Sequence, residues 1–186
     1  EGILYIFECK NAYHPCNSHE MRNSYDHIKK AGDQLSIRES WFASPANQTQ
    51  LWKKIGWDIS EPASIKTCVL IANRVFTGGT IVGHPIRQAH EFINVIRTGE
   101  IRGPEAVYSF WRGSAFTTQD LNEYLGSKGL IRDQFDAMRP IQDRYLISTK
   151  FLNFESWYLD TGVQEQILAE RYSVMASPSI SPQPRH

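Results

Sequence analysis

Residues 2–11, GILYIFECKN, are the stretch on which the reading of this fold turns. Ile3, Leu4, Tyr5, Ile6 and Phe7 form a short apolar run rich in β-branched and aromatic side chains, a pattern that favours a buried strand over a helix. The run stops at Glu8, Cys9 and Lys10. Residues two apart on a strand share a face, so Glu8 and Lys10 project together while Cys9 points to the other side. Glu1 and Gly2 read as a turn feeding this strand, because glycine tolerates the positive φ of a tight hairpin. A partner strand is then expected just before residue 1.

Outward from this segment, residues 10–18 (KNAYHPCNS) have loop chemistry. Asn17 and Glu20 have the spacing of a capping box, and Met21, Tyr25, Ile28 and Leu35 recur at helical spacing, so a helix is expected over residues 19–35. A second helical stretch is expected over residues 48–54, stopped by Gly56. Residues 64–72 (SIKTCVLIA) read as the second strand, and residues 73–83, with Gly78 and Gly79, as a hairpin or edge extension. Pro85 is expected at the first position of a helix carrying Ile86, Ala89, Phe92, Ile93 and Ile96 and closed by Gly99.

Farther on, residues 118–125 and 130–138 read as helical, with Pro140 bending or ending the second. Residues 147–159 fit either strand or helix. The tail SPSISPQPRH, residues 177–186, reads as disordered. The expected fold class is α/β: a mixed sheet centred on the first two strands, flanked by helices over residues 19–35 and 86–97. The expected division is a core over residues 1–102, a mostly helical, α-rich extension over 103–176 packed on it, and the tail.

Composition excludes several classes. Of the 186 residues, 41% are apolar and 22% charged, which suits a globular chain rather than a disordered or fibrous one. Twenty basic residues balance twenty acidic ones, locally as well as globally, so charge alone points to neither nucleic acid nor a membrane surface. Cys9, Cys16 and Cys68 are too few and too irregular for a disulfide framework, and a reducing, cytoplasmic setting is expected. The longest apolar runs, residues 3–7 and 68–72, fall far short of the roughly 20 residues a membrane span needs. No basic segment leads into an apolar one, so no signal peptide is expected. The first residue is Glu rather than Met, and a fragment or processed product of a longer parent is expected.

Glu8 and Lys10 carry the chemistry. A carboxylate beside an ammonium at an exposed strand end suits metal-dependent phosphodiester hydrolysis. The carboxylate holds a divalent cation that polarises a phosphate oxygen and acidifies water, and the lysine orients that water and steadies the developing charge. The competing reading is a surface ion pair, worth only about 0–1 kcal/mol.

The order of strand with E-x-K, helix and strand resembles the core of the PD-(D/E)XK superfamily, the restriction-endonuclease-like nucleases. Residues 2–10 are similar to its E-x-K strand, residues 19–35 to the helix that follows, and residues 64–72 to the next core strand. The resemblance spans about the first half of the chain. It implies that Glu8 is a metal ligand, that the Cys9 backbone carbonyl is another, and that Lys10 is the catalytic lysine. Some branches carry a glutamine on the following helix, and Gln34 is similar in placement. The family's other acidic ligand lies on the strand before the E-x-K strand. Glu1 is a poor substitute, about seven residues or roughly 23 Å from Glu8 along a strand. The resemblance therefore places the missing aspartate upstream of residue 1.

Other clusters have blander readings. Cys9, His14, Cys16 and His19 have zinc-compatible chemistry, but Cys9 faces away and the spacing matches no common zinc module. His84, Arg87 and His90 surround the expected helix start at Pro85, where a phosphate could bind, and are read as solvated residues. Lys29, Lys30, Lys53 and Lys54 are read as solvated helix faces rather than backbone contacts to nucleic acid. Trp41, Phe42, Trp52 and Trp57 are read as core rather than base-stacking residues.

The expected function is a Mg²⁺- or Mn²⁺-dependent nuclease domain acting on nucleic acid, DNA ahead of RNA. Other domains of a longer parent are expected as partners, and a membrane is not. One alternative is a catalytically inactive restriction-endonuclease-like module that binds nucleic acid or protein. Another is a structural interaction domain that uses the aromatic second half, including Trp111 and Trp157.

Overall fold

The computed structural model describes residues 2–11, 14–59, 63–102, 106–126, 128–147 and 150–176. Glu1, with the turn expected there, and the tail from residue 177 lie outside the described residues. The chain is mixed α/β and divides into two compact units between Phe92 and Ile93. The sequence had suggested a boundary after residue 102.

The first unit opens with strand β1 (Ile3–Lys10), helix α1 (Ser18–Phe42), helix α2 (Pro45–Ile55) and strand β2 (Ser64–Ile71). Short strands β3 (Thr80–Ile81) and β4 (His84–Gln88) follow, and helix α3 (Ala89–Arg97) crosses the division. The sheet order is β1-β2-β4-β3. β1 and β2 run parallel from the pair Ile3–Ser64 to the pair Lys10–Ile71, β2 and β4 are parallel, and β3 is antiparallel to β4.

The local signals explain much of this. Asn17 caps α1, its side chain accepting from the Glu20 amide at 2.9 Å while Glu20 reaches back to the Cys16 amide. Gly56, at φ 73°, closes α2 as a left-handed cap, its amide donating to the Trp52 carbonyl. Buried Gln48 on α2 donates to the Phe42 and Ala63 carbonyls and accepts from the Ala63 amide, which ties the end of α1 to the start of β2.

The core lies between α1 and the sheet. Ile28, Ala31 and Leu35 meet Val69, Ile71 and Ile86, with Ile6, Phe76 and Ile81 packed against them. The buried seam of α1 is Ser24, Ile28, Ala31, Gly32 and Leu35. Met21 and Tyr25, expected on that seam, are 39% and 45% exposed. Small side chains line the seam and bring the helix close to the sheet, so large apolar residues alone misplace its face. Gly32 shows how close: a Cβ there would lie 3.1 Å from the Ile81 carbonyl oxygen. The β3–β4 hairpin that presses on it turns through Val82 and Gly83, both at positive φ, the geometry of a tight two-residue hairpin.

Residues 84–88 correct the sequence reading. They form a strand, with α3 beginning only at Ala89, so Pro85 is no helix start. Parallel pairing of Val69 with Ile86 carries Ile86 into the core, and that burial overrides local helix signals. His84 and Arg87 are consequently buried, each 3% exposed, rather than solvated. His84 Nε2 lies 2.8 Å from Ser36 Oγ and its Nδ1 lies 2.6 Å from Thr67 Oγ1. The Ser36 hydroxyl donates to the Gly32 carbonyl. Ser36 Oγ, already donating, is left to accept from Nε2–H of His84, and Nδ1 bonds the Thr67 hydroxyl. One ring joins α1, β2 and β4.

The second unit holds strands β5 (Glu100–Arg102) and β6 (Val107–Ser109), helices α4 (Thr118–Gly126) and α5 (Leu130–Asp136), and strands β7 (Met138–Ile147) and β8 (Lys150–Leu159). Helix α6 (Thr161–Arg171) and strand β9 (Ser173–Ala176) complete it. β5, β6 and β9 form one antiparallel sheet, and β7 pairs with β8 as a hairpin. Phe110, Tyr124, Leu168 and Tyr172 are buried here. Buried Asp133 accepts from the Tyr172 hydroxyl and the Arg171 guanidinium, joining α5 to the end of α6.

This unit is not the α-rich extension expected from sequence: among the described residues it has five strands and three helices beyond α3. The difference arises at residues 138–159. Tyr145, Phe154, Trp157 and Tyr158 are strong β-formers that gain cross-strand partners only once the hairpin closes. The Tyr145 and Phe154 rings, for example, lie 5.6 Å apart.

The His84 bridge generates a stability prediction. His84→Leu removes the hydrogen-bond partner of the buried Thr67 hydroxyl and should cost about 1–3 kcal/mol in urea denaturation. A change within about 0.5 kcal/mol, as at a solvated surface position, would show the bridge to be inconsequential.

Candidate functional site

The end of β1 gathers four polar side chains. Glu8 is level with Val69 and Lys10 with Ile71, so both rise from the sheet face that packs on α1. Cys9, level with Leu70, falls on the opposite face and is exposed. Above them, α1 presents Gln34 and Arg38, which lie one helical turn apart and hence on one side of the helix.

The bonds are specific. The Lys10 ammonium donates to Glu8 Oε1 at 2.8 Å and to Gln34 Oε1 at 3.2 Å. Arg38 Nη1 donates to Glu8 Oε2. Both carboxylate oxygens of Glu8 are thus engaged by cations. The Glu8 side chain is 14% exposed, Lys10 24% and Arg38 42%, a gradient from a shielded acid to a solvent-facing guanidinium. Burial pushes the Glu8 carboxyl up, but hydrogen bonds and charge from Lys10 and Arg38 outweigh it and hold the group below the usual carboxylate range. Glu8 is therefore ionised at neutral pH.

The structure brings Glu8, Lys10 and Gln34 together. Arg38 was missed in the sequence: the expected helix stops at residue 35, three residues short of it, whereas α1 runs to Phe42. Without a position for Glu8 relative to the helix, nothing pointed from Arg38 to a partner.

The other clusters disperse. Cys9 and Cys16 are exposed thiols, His14 turns to the Pro15 carbonyl, and His19 pairs with Asn23. Among the described residues no group of three or more His, Cys, Asp or Glu is placed to hold a metal ion. Cys68 lies inside β2, where burial pushes its thiol up to about 12, so it is no nucleophile at neutral pH. Lys29 pairs with Asp33 across one helical turn. Of the four aromatics near the two helices, Trp52 is buried at 4% exposure, whereas Trp41 and Trp57 are 45% and 56% exposed.

The donors at the strand end can be tested against a divalent cation. Glu8 supplies an ionised carboxylate and Cys9 a backbone carbonyl, both hard oxygen donors. Mg²⁺ is commonly held by one or two carboxylates, completing its shell with water and substrate phosphate. The chemistry fits. Because both Glu8 oxygens are already engaged, a cation entering there would have to displace Lys10 or Arg38.

Among the described residues no helix is long and apolar enough to cross a membrane. Compared with protein-family models, curated proteins and solved structures, the chain matches none.

The depressed Glu8 pKa has a signed consequence. A group whose folded-state pKa lies below its unfolded value contributes stability that is present above the unfolded pKa and lost as pH falls through the folded one. Urea denaturation from neutral pH down through the acidic carboxylate range should show this loss in the natural chain. Glu8→Gln should flatten that part of the profile, and an unchanged acid limb would mean that Glu8 is not held by its two cations.

Proposed function

We propose that the end of β1 is the active centre of a divalent-metal-dependent nuclease with a restriction-endonuclease-like core, acting on phosphodiester bonds of nucleic acid, with DNA ahead of RNA. The observation that carries this reading is the meeting of Glu8, Lys10 and Gln34 at the end of one strand of a parallel strand–helix–strand unit. An isolated surface ion pair has no reason to recruit a glutamine from the crossover helix onto its lysine.

Each residue has a role. Glu8 and the Cys9 carbonyl would hold Mg²⁺ or Mn²⁺, which when bound supplies charge to a phosphate oxygen and acidity to water. Lys10 orients the water and stabilises negative charge as it develops. Gln34 fixes the Lys10 ammonium, since its carbonyl accepts one of the three ammonium protons.

The reading calls for a further carboxylate beside Glu8. Among the described residues β1 is the edge of its sheet, paired only with β2, so a strand carrying that acid has a place to pair. Overall neutrality means that affinity for a polyanion comes from a local patch, from other domains or from a partner. The three free thiols accord with a reducing, cytoplasmic setting.

The test is cleavage of plasmid, single-stranded DNA and RNA by the natural full-length protein in Mg²⁺ and in Mn²⁺, beside its Lys10→Ala variant. The expected result is metal-dependent cleavage reduced at least about 100-fold in the variant, the scale of losing one preorganised charge-stabilising group. Matched thermal unfolding of the two proteins would confirm that the loss is chemical. No cleavage, or equal cleavage by both, would replace this reading with a catalytically inactive binding module.

A further inference from the structure

Arg38 has no part in the E-x-K chemistry, yet it makes one of the two direct bonds to Glu8. The two cations on that carboxylate differ in how firmly they are held. Lys10 projects from a strand fixed by pairing with β2, is 24% exposed, and is tied a second time by Gln34. Arg38 stands on the C-terminal part of α1, is 42% exposed, and reaches Glu8 through a long rotatable stem. Arg38 is the more easily displaced.

Charge says when displacement occurs. Glu8, Lys10 and Arg38 together carry one surplus positive charge. A divalent cation entering at Glu8 would raise that net charge from +1 to +3, and the solvent-facing guanidinium is the group with somewhere to go. A phosphodiester offsets part of that excess with one negative charge and two unesterified oxygens. A guanidinium fork matches those oxygens in geometry as well as charge.

We propose that Arg38 is an exchange residue: it occupies Glu8 Oε2 in the metal-free protein, yields that oxygen to the divalent cation, and then contacts a non-bridging oxygen of the substrate phosphate. This rests on the reading of Glu8 as a metal ligand. Its consequence is a change of sign. Without nucleic acid Arg38 opposes the metal, and with nucleic acid it supports the complex. An Arg38 that merely clamped Glu8 in place would show no such reversal.

Two binding measurements on the natural full-length protein test this, neither of which requires turnover. The first is calorimetric titration with Mn²⁺ alone, for the natural protein, Arg38→Ala, Arg38→Met and Glu8→Gln. Arg38→Met keeps the aliphatic stem and so separates charge from packing. Both Arg38 variants should bind Mn²⁺ more tightly, by up to about fivefold, the factor that a partly exposed ion pair holds back. Glu8→Gln should lose the site. The second is affinity for a duplex oligonucleotide in Ca²⁺, an oxygen-seeking cation that can fill the site. Here both Arg38 variants should bind about tenfold more weakly, as expected for a lost charge-assisted hydrogen bond.

Tighter metal binding together with weaker duplex binding supports the proposal. Tighter metal binding with unchanged duplex affinity overturns the phosphate contact. Unchanged or weaker metal binding in the Arg38 variants, while the natural protein binds Mn²⁺ through Glu8, overturns the exchange and leaves the nuclease reading standing. Failure of the natural protein and of the Arg38 variants alike to bind Mn²⁺, or full Mn²⁺ affinity in Glu8→Gln, overturns both.

Discussion

Parallel pairing of β1 with β2, in continuous register from Ile3–Ser64 to Lys10–Ile71, is the constraint on which the first unit depends. Parallel strands cannot be joined by a tight turn, and the chain must cross over one face of the sheet to return. Here the crossover contains α1 and α2, and α1 lies along the face that holds Ile6, Val69, Ile71 and Ile86. The alternation of a strand puts Glu8 and Lys10 on that same face, beyond Ile6. Packing the helix on the apolar residues therefore brings Gln34 and Arg38 to the two charged ones.

Magnitudes indicate which effect leads. Each fully buried Ile, Leu or Val side chain contributes about 1.5–3 kcal/mol, and the α1–sheet core contains five of them. A partly exposed ion pair contributes at most about 1 kcal/mol. The core positions the charged cluster, and the cluster adds little to the fold. A polar group that the fold does not need for stability can be selected for chemistry. The same reasoning separates Glu8 from His84. His84 is buried between hydroxyls from α1 and β2 and serves the fold, whereas Glu8 sits at a rim with cations that solvent can reach.

How much of this was legible in the sequence differs by residue. β1 and β2 were readable because apolar runs of that length, bounded by polar residues, have few alternatives. The capping of α1 by Asn17 was readable because it is a contact across three residues. The strand at residues 84–88 was not, because Pro85 and the following apolar spacing favour a helix locally, and only pairing with β2 makes burial of Ile86 as strand more favourable. The second arm of the hairpin, within residues 147–159, was ambiguous for a similar reason: its aromatics stabilise a strand only through partners on the other arm. The inner seam of α1 was misjudged at Met21 and Tyr25, since Ser24, Ala31 and Gly32 carry no hydrophobic signal yet set the closest approach.

For the site, the sequence by itself determined that Glu8 and Lys10 share a face and that Cys9 does not, because strand alternation is a property of the backbone alone. For Gln34 and Arg38 the helical repeat puts both on one side only once α1 is known to run to Phe42, beyond the residue 35 at which the sequence signals end. Only the tertiary structure decided that these two pairs meet, that Lys10 bridges Glu8 and Gln34, and that Arg38 takes the second oxygen of Glu8. Local rules set the direction of each side chain from its own element. The angle and depth at which α1 sits on the sheet come from packing among residues far apart in the chain.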